Sequence, residues 1–149
     1  MFATAAALHD IEKRYKTFTL GPLTLTIPAG SIVGLVGENG AGKTTTLKLL
    51  TGVIRPSAGR AELLGGNPAD PATRARIGVV FEDAYFYENL TAAQVGRSMA
   101  GIFGARWQPE AFAGYLTRFG LDPRQKIKEY SRGMRMKLSL ATALAHAPE

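Results

Sequence analysis

The hydrophobic pattern of the chain changes its period at about residue 82. Before this point, apolar and β-branched residues form short runs or alternate with polar residues, which is typical of β-strands. Gly21-Pro22 interrupts one alternating run, so we expect a bulge or a turn between two strands there. The continuous apolar run at the end of this region is typical of a strand buried in a parallel sheet. The pattern predicts strands at Leu8–Tyr15 (a sheet edge), Phe18–Ile27, Ile32–Val36, Ala61–Leu64 and Ile77–Phe81.

After residue 82, apolar positions recur at helical spacing. Thr91 and Gln94, three residues apart, match a capping box. A helix is also predicted in the first region, from Gly42 to about Leu50, with Gly52 as its C-cap. The chain therefore divides into a β-rich part, residues 1–82, and a helical part, residues 83–149. The other predicted helices are Ala92–Phe103, Pro109–Phe119 and Ser131–His146, with a short helical turn at Pro71–Arg76.

The first part carries a glycine-rich loop at Ser31–Leu47, with the sequence SIVGLVGENGAGKTTTL. Strand, loop and helix start follow in the order that a phosphate-binding P-loop requires, and the pattern G-x-x-x-x-G-K-[ST] is met. Glycines let backbone N–H groups wrap a triphosphate, and the helix N-terminus favours an anion. Lys43 supplies a cation for the outer phosphates and Thr44 a hydroxyl for Mg²⁺. The predicted nucleotide-binding residues of this loop are Gly37, Glu38, Asn39, Gly40, Ala41, Gly42, Lys43, Thr44 and Thr45.

The composition indicates a globular protein but does not indicate its function. The chain has 149 residues, of which 46% are hydrophobic and 20% charged, so it is globular and long enough for one domain with a core. It has no cysteine, which excludes disulfides and cysteine-based metal sites. No apolar run approaches a membrane span, and the first residues do not match a signal peptide, which fits the cytosol.

The net charge of +6 is compatible with nucleic-acid binding. However, the basic residues are scattered, and a nucleotide pocket or an acidic partner surface explains the surplus equally well. We therefore expect no nucleic-acid partner. The small basic clusters are Arg124, Lys126 and Lys128, followed by Arg132, Arg135 and Lys137.

The second motif starts the last predicted helix, at Glu129–Met134, with the sequence EYSRGM. Ser131 suits a helix N-cap, and Gly133 allows close approach of a phosphate to the backbone. Together with the P-loop, this motif resembles the signature of the ATP-binding subunits of ABC transporters, in a variant found among export-type members. The resemblance implies that Ser131, Arg132, Gly133 and Met134 contact the ATP held by the P-loop of a partner subunit.

The same resemblance assigns roles to further residues. Tyr15 matches the aromatic residue that stacks on adenine, and Phe18 is the competing candidate. Glu82 occupies the position where the family usually has glutamine, and its carboxylate offers oxygen to Mg²⁺ beside Thr44. Three consecutive aromatic residues, Tyr85, Phe86 and Tyr87, either contact the transmembrane partner or cover the core of the helical part.

The resemblance implies an α/β fold: a P-loop NTPase with an antiparallel β subdomain, a partial parallel-sheet core and a helical subdomain. It also implies ATP and Mg²⁺ as cofactors, a homo- or heterodimer of ATP-binding subunits, a transmembrane permease partner and a place at the cytoplasmic face of the membrane. The function expected is coupling of ATP binding and hydrolysis to export.

The resemblance covers an incomplete ABC ATP-binding domain. The sequence ends at Ala147-Pro148-Glu149, where the family continues into the Walker B strand with its aspartate and catalytic glutamate. We therefore name no catalytic residue, and we expect the chain as given to bind ATP weakly without turnover. Two alternatives stay open: a truncated nucleotide-binding module without catalysis, and a soluble ABC-type ATPase acting on ribosomes or DNA.

Overall fold

The computed structural model describes residues 4–82 and 85–149. These residues belong to two compact units, Met1–Arg74 and Ala75–Glu149. The first unit contains the strands and the P-loop, and the second contains the three long helices. The structural division therefore falls before the segment Ile77–Phe81, which we had grouped with the β-rich part.

The alternating N-terminal pattern forms an antiparallel sheet. Its strands are β1 (Thr4–Arg14), β2 (Thr19–Pro28) and β3 (Ala58–Leu63), in the order β2-β1-β3. β1 was predicted as an edge strand, and this is wrong, because it pairs on both sides: Leu8 lies opposite Leu25 of β2 and Ala61 of β3. Its side chains Leu8 and Ile11 are fully buried, which explains why the central place suits this strand.

The interruption at Gly21-Pro22 lies within β2 and does not divide it. The peptide bond between the two residues is cis. The β1–β2 register shifts between the pairs Ile11–Leu23 and Lys13–Leu20, so the expected irregularity is a bulge.

The predicted P-loop helix is present as α1 (Lys43–Leu50). Leu49 and Leu50 are buried and fix the helix to the first unit. Gly52 follows its end with φ 70°, and its N–H donates to the Leu49 carbonyl at 3.2 Å. A left-handed glycine just past the last turn is the predicted way to end this helix. A short helix, α2 (Pro71–Arg74), closes the unit.

Two predicted strands, Ile32–Val36 and Ile77–Phe81, are not strands in the structure. Ile32 and Val36 are almost completely exposed. Ile77 is instead held at the end of the last helix, where its carbonyl lies 2.9 Å from Nε2 of His146. A strand exists only where a neighbour completes its hydrogen-bond ladder, and no such neighbour occurs for either segment in residues 4–82 and 85–149. All three strands of the described chain are therefore antiparallel.

The second unit confirms the predicted helices α3 (Ala92–Phe103), α4 (Pro109–Phe119) and α5 (Arg132–Leu144). The capping box of α3 is formed: Oγ1 of Thr91 accepts from the Gln94 N–H at 3.3 Å, and Oε1 of Gln94 accepts from the Thr91 N–H at 2.8 Å. No helix of the described residues is long and apolar enough to cross a membrane. The core of this unit comprises Ala92, Val95, Trp107, Phe112, Leu116, Leu121, Ile127, Tyr130, Leu138, Ala141 and Ala145.

Candidate nucleotide-binding site

The P-loop turns into α1 at Gly42, and glycine is favoured at this position. Gly42 has φ 91°, in the left-handed region that a side chain disfavours. A Cβ atom there would also lie 2.7 Å from Cδ1 of Leu20 and 3.5 Å from Cζ of Phe18. The third glycine of the motif is therefore favoured by its backbone conformation, and a side chain there would also displace the end of Leu20.

Lys43 directs its ammonium group back over the loop. Its Nζ donates to the carbonyl oxygens of Gly37 at 2.6 Å and Glu38 at 2.7 Å. The Ala41 N–H donates to the same Glu38 carbonyl at 3.2 Å, which closes the turn. Residues 31–41 are all exposed. The loop thus holds a positive charge at a fixed place on an open surface, which suits an anionic ligand.

The N-terminus of α1 has unsatisfied hydrogen-bonding groups. Gly42 provides no capping side chain, and no acidic residue lies in the first turn. Thr44 is exposed, and no described residue bonds to the hydroxyls of Thr44 or Thr45. Thr46 differs, because its buried hydroxyl donates to the Gly42 carbonyl at 3.0 Å. Free N–H groups, two free hydroxyls and the helix dipole make this end suitable for an anion.

The two aromatic candidates for base stacking lie side by side. The Tyr15 N–H donates to the Phe18 carbonyl at 2.8 Å across the β1–β2 turn, and the two rings stack at 6.4 Å with 24° between their planes. Nζ of Lys13 lies 5.7 Å from the centre of the Tyr15 ring, in cation–π contact. Tyr15 is 47% and Phe18 39% exposed, so both rings present surface for a base. The geometry does not separate the two candidates.

The second motif forms the start of α5 as predicted. Oγ of Ser131 accepts from the Met134 N–H at 3.2 Å, which is an N-cap bond. Gly133 is exposed, and a Cβ there would have no neighbour closer than 3.9 Å, so space is open in front of the helix. The first turn has no acidic residue. This end of α5 is thus compatible with an anion, although its side-chain cap is already made.

Glu82 and Arg132, predicted for different roles, lie together within the second unit. Oε1 of Glu82 accepts from the Arg132 guanidinium at 2.8 Å, with 81% and 78% of the two side chains exposed. A second ion pair joins Glu88 and Arg135 at 3.2 Å. Among the residues that the structure describes, no group of three or more histidine, cysteine or carboxylate side chains is arranged to hold a metal ion.

The three consecutive aromatic residues Tyr85, Phe86 and Tyr87 differ in burial, so they do not all serve the same one of the two predicted roles, partner contact or core. Phe86 packs against the core of the helical unit, whereas Tyr85 and Tyr87 are exposed by 91% and 83%.

Sequence reasoning missed Tyr130, directly before Ser131. Its ring is buried, its hydroxyl donates to the Asp122 carbonyl at 3.3 Å, and burial, followed by the Asp122 charge, raises its pKa. Tyr130 therefore fixes the second motif to the core of the helical unit. Its position directly before a predicted amphipathic helix could have indicated that it is buried.

Comparison with known proteins agrees with the motifs. The family model described as "ABC transporter" matches residues 20–149. An uncharacterized ABC transporter ATP-binding protein of Synechocystis is 38% identical over 99% of this chain and 46% of its own length. A bacitracin transport ATP-binding protein of Bacillus licheniformis is 36% identical over 99% of this chain and 49% of its own length. The chain thus spans about half the length of these relatives.

Solved structures show the same fold. The ATP-binding subunit of an ABC transporter superposes with a TM-score of 0.85, at 27% identity, over 97% of this chain and 63% of that one. An ATP-binding cassette solved as a dimer after hydrolysis, with ADP and Pi bound, gives 0.82 at 23% identity, over 96% of this chain and 70% of that one. The second likeness supports the fold alone.

Proposed function

The chain belongs to the ABC transporter family, and on this premise we propose that it is the nucleotide-binding part of a transporter's ATP-binding subunit. The observation that supports this best is the open N-terminus of α1, where Lys43 lies over the loop and Gly42 leaves the helix uncapped. In this proposal the residues from Gly37 to Thr45 wrap the phosphates. In function, we propose residues 1–82 as the nucleotide-binding core and residues 83–149 as the helical subdomain, although the compact units divide after Arg74.

Lys43 and the aromatic pair Tyr15 and Phe18 have separate tasks in this proposal. Lys43 exchanges one of its carbonyl contacts for phosphate oxygens, a stronger, charge-assisted bond. Tyr15, or Phe18 beside it, stacks on the base with its ring face, so binding depends on ring area more than on base identity.

Mg²⁺ is the proposed metal, with Thr44 and Glu82 as its candidate protein ligands. The hydroxyl of Thr44 is exposed and unoccupied by any described residue, and the carboxylate of Glu82 is largely exposed. The lack of a larger ligand group among the described residues is compatible with this ion, because Mg²⁺ is commonly bound by one or two protein groups with phosphates and water. When bound, the ion neutralises charge on the outer phosphates.

A second ATP contact is proposed for Ser131, Arg132, Gly133 and Met134, directed at the nucleotide of a partner subunit. Support comes from the open space before Gly133 and the lack of an acidic residue in the first turn of α5. In such a homo- or heterodimer, ATP holds two subunits together, and hydrolysis by the whole protein lets them part.

We also propose a role in transport for the whole protein. Relatives of this chain are named for bacitracin transport, daunorubicin resistance and fluoroquinolone export. By analogy, the whole protein works at the cytoplasmic face of a membrane, bound to a permease subunit, and drives export. Tyr85, whose ring lies in solvent, is proposed as part of the permease contact.

Binding of a fluorescent ATP analogue tests the nucleotide site. Lys43→Ala should weaken binding about tenfold or more, since a charged hydrogen-bonding group to phosphate is lost. Lys48→Ala, in the last turn of the same helix, is the matched control and should bind as the parent does. Equal affinity of the parent and Lys43→Ala would contradict the proposal.

A further inference from the structure

A row of three cations lies on the surface of the helical unit, outside both phosphate motifs. Arg124, Lys126 and Lys128 are exposed, whereas Ile127 between the last two is fully buried. None of the three side chains makes a hydrogen bond or an ion pair with a residue in the described part of the chain. We call these three residues the basic row.

The backbone of the basic row is fixed. The Ile127 N–H donates to the Leu90 carbonyl at 2.9 Å and the Lys128 N–H to the Glu88 carbonyl at 2.9 Å. The Pro123 carbonyl accepts from the Ala93 N–H at 3.0 Å. With Ile127 inserted in the core, the chain cannot rotate to turn these cations inward. Their exposure is therefore a property of the fold, and a bound anion would reduce the repulsion among the three cations.

Nearby carboxylates neutralise the row only in part. Glu88 is paired with Arg135, whereas Asp122 keeps its negative charge, because its Oδ1 accepts only the backbone N–H of Arg124. Asp122 and Glu129 are the two acidic residues of the segment that carries the three cations. The local surplus is therefore positive.

An exposed tyrosine adjoins the row. The carbonyl of Tyr87 accepts from the Leu90 N–H at 3.0 Å. The next residue, Glu88, accepts from the Lys128 N–H through its carbonyl, so Tyr87 is adjacent in sequence to a residue that bonds to the basic row. Its ring is 83% exposed. A tyrosine ring with its polar hydroxyl, next to lysine and arginine, is the composition found at lipid headgroups.

We propose that the basic row and Tyr87 contact the surface of an anionic lipid bilayer. The inference rests on the proposed function, which brings the subunit close to a membrane. The row presents three exposed cations that no described side chain pairs, and such a charge is complementary to a continuous anionic surface. Cations near such a surface contribute additively, and the attraction is screened by salt.

Co-sedimentation with lipid vesicles tests this, using phosphatidylcholine alone and with about 30% phosphatidylglycerol, an anionic fraction that attracts basic segments. Arg124→Gln/Lys126→Gln/Lys128→Gln should lose roughly 100-fold in partition onto the anionic vesicles. The matched control, Lys16→Gln/Arg55→Gln/Arg60→Gln, removes the same charge from exposed positions of the other unit and should lose less than about threefold. Tyr87→Ala should weaken partition by a smaller factor.

Three results would overturn the proposal. The parent could show no preference for anionic vesicles, the two triple variants could lose equally, or the row could be needed for binding poly(U) RNA but not vesicles. The fluorescent ATP analogue is titrated into each variant as well. Retained nucleotide binding with lost partition supports the membrane contact alone, whereas loss of nucleotide binding in the parent concerns only the proposed function.

Discussion

Helices α1 and α5 both begin at a predicted phosphate site, but they begin in different ways. α1 starts at Gly42, which has φ 91° and no side-chain cap, and its first turn carries hydroxyls that bond to no described residue. α5 starts at Ser131, whose hydroxyl caps the Met134 N–H, and Arg132 is paired with Glu82. The N-terminus of α1 has no side-chain cap, whereas the N-terminus of α5 is capped by a residue of its own unit.

This difference separates two ways of making an anion site. The first N–H groups of α1 bond to no capping side chain and are available to a phosphate, so ligand binding should stabilise the folded state by mass action. The N-terminus of α5 is capped by its own side chain. An anion there would interact with the helix dipole and occupy the open space before Gly133.

Gly42→Ala should have the largest effect of the substitutions at the two helix starts. It places a side chain at a left-handed φ and within 2.7 Å of Leu20, so we expect a loss of about 1–3 kcal/mol in the free energy of unfolding together with the loss of nucleotide binding. Urea unfolding and titration with the fluorescent ATP analogue measure the two effects.

Gly133→Ala is the matched substitution at α5 and should have the opposite sign in stability. Its Cβ enters open space within a helix, where alanine is favoured over glycine by about 0.5–1 kcal/mol. If both variants unfolded at the same urea concentration as the parent, the contrast between the two helix starts would be lost.

Ser131→Ala should destabilise the helical unit by about 0.5–2 kcal/mol, because the N-cap bond to Met134 is removed. Ser131→Thr keeps an accepting hydroxyl and should recover most of this. Helix content and urea unfolding of the three proteins provide the measurement. An unchanged midpoint in Ser131→Ala would show that the cap contributes nothing here.

Tyr130 makes stability depend on alkaline pH. Burial, and then the Asp122 charge, raise its pKa in the folded protein, so the folded state keeps the phenol proton to higher pH than the unfolded state. Its contribution is complete below about pH 10, the unfolded value, and is lost as pH rises through the higher folded value. Tyr130→Phe should cost about 0.5–1.5 kcal/mol at neutral pH and should abolish this part of the alkaline decrease.

Urea midpoints between neutral pH and pH above 10 measure this effect. Tyr87→Phe, with an exposed ring, is the control and should follow the parent at every pH. A parent and a Tyr130→Phe variant that lose stability in parallel would disprove the role of the buried phenol.

Arg132→Gln should have the smallest effect on stability, below about 1 kcal/mol, because both partners of its ion pair with Glu82 are largely exposed. Arg135→Gln, which breaks the neighbouring pair with Glu88, is the comparison and should behave similarly. A double-mutant cycle of Arg132→Gln and Glu82→Gln measures the coupling between the pair. A coupling well above 1 kcal/mol would show that the pair is structural.

Local sequence was informative where local interactions decide the structure. The three long helices, the capping box at Thr91, the left-handed glycine after α1 and the cap at Ser131 each depend on residues within one or two turns, and all were predicted. The P-loop also lies on a sharp turn into a helix, as its glycines require. The nucleotide and metal roles of the site residues stay predictions.

Long-range pairing was predicted less well. The pattern of Leu8–Tyr15 indicated a strand but not its neighbours, so its central place in the sheet was missed. The pairing of Glu82 with Arg132 and the burial of Tyr130 also join residues distant in sequence or depend on packing that no motif encodes.

The amino-acid sequence by itself determined the helix starts, their caps and the family of the protein, because these depend on residue types at fixed short spacings. Tertiary structure decided which apolar runs became strands. Ile32–Val36 and Ile77–Phe81 have the composition of buried strands, yet they are not strands, since a strand needs a hydrogen-bonded neighbour that no local pattern supplies. β1 has two such neighbours and is the centre of its sheet.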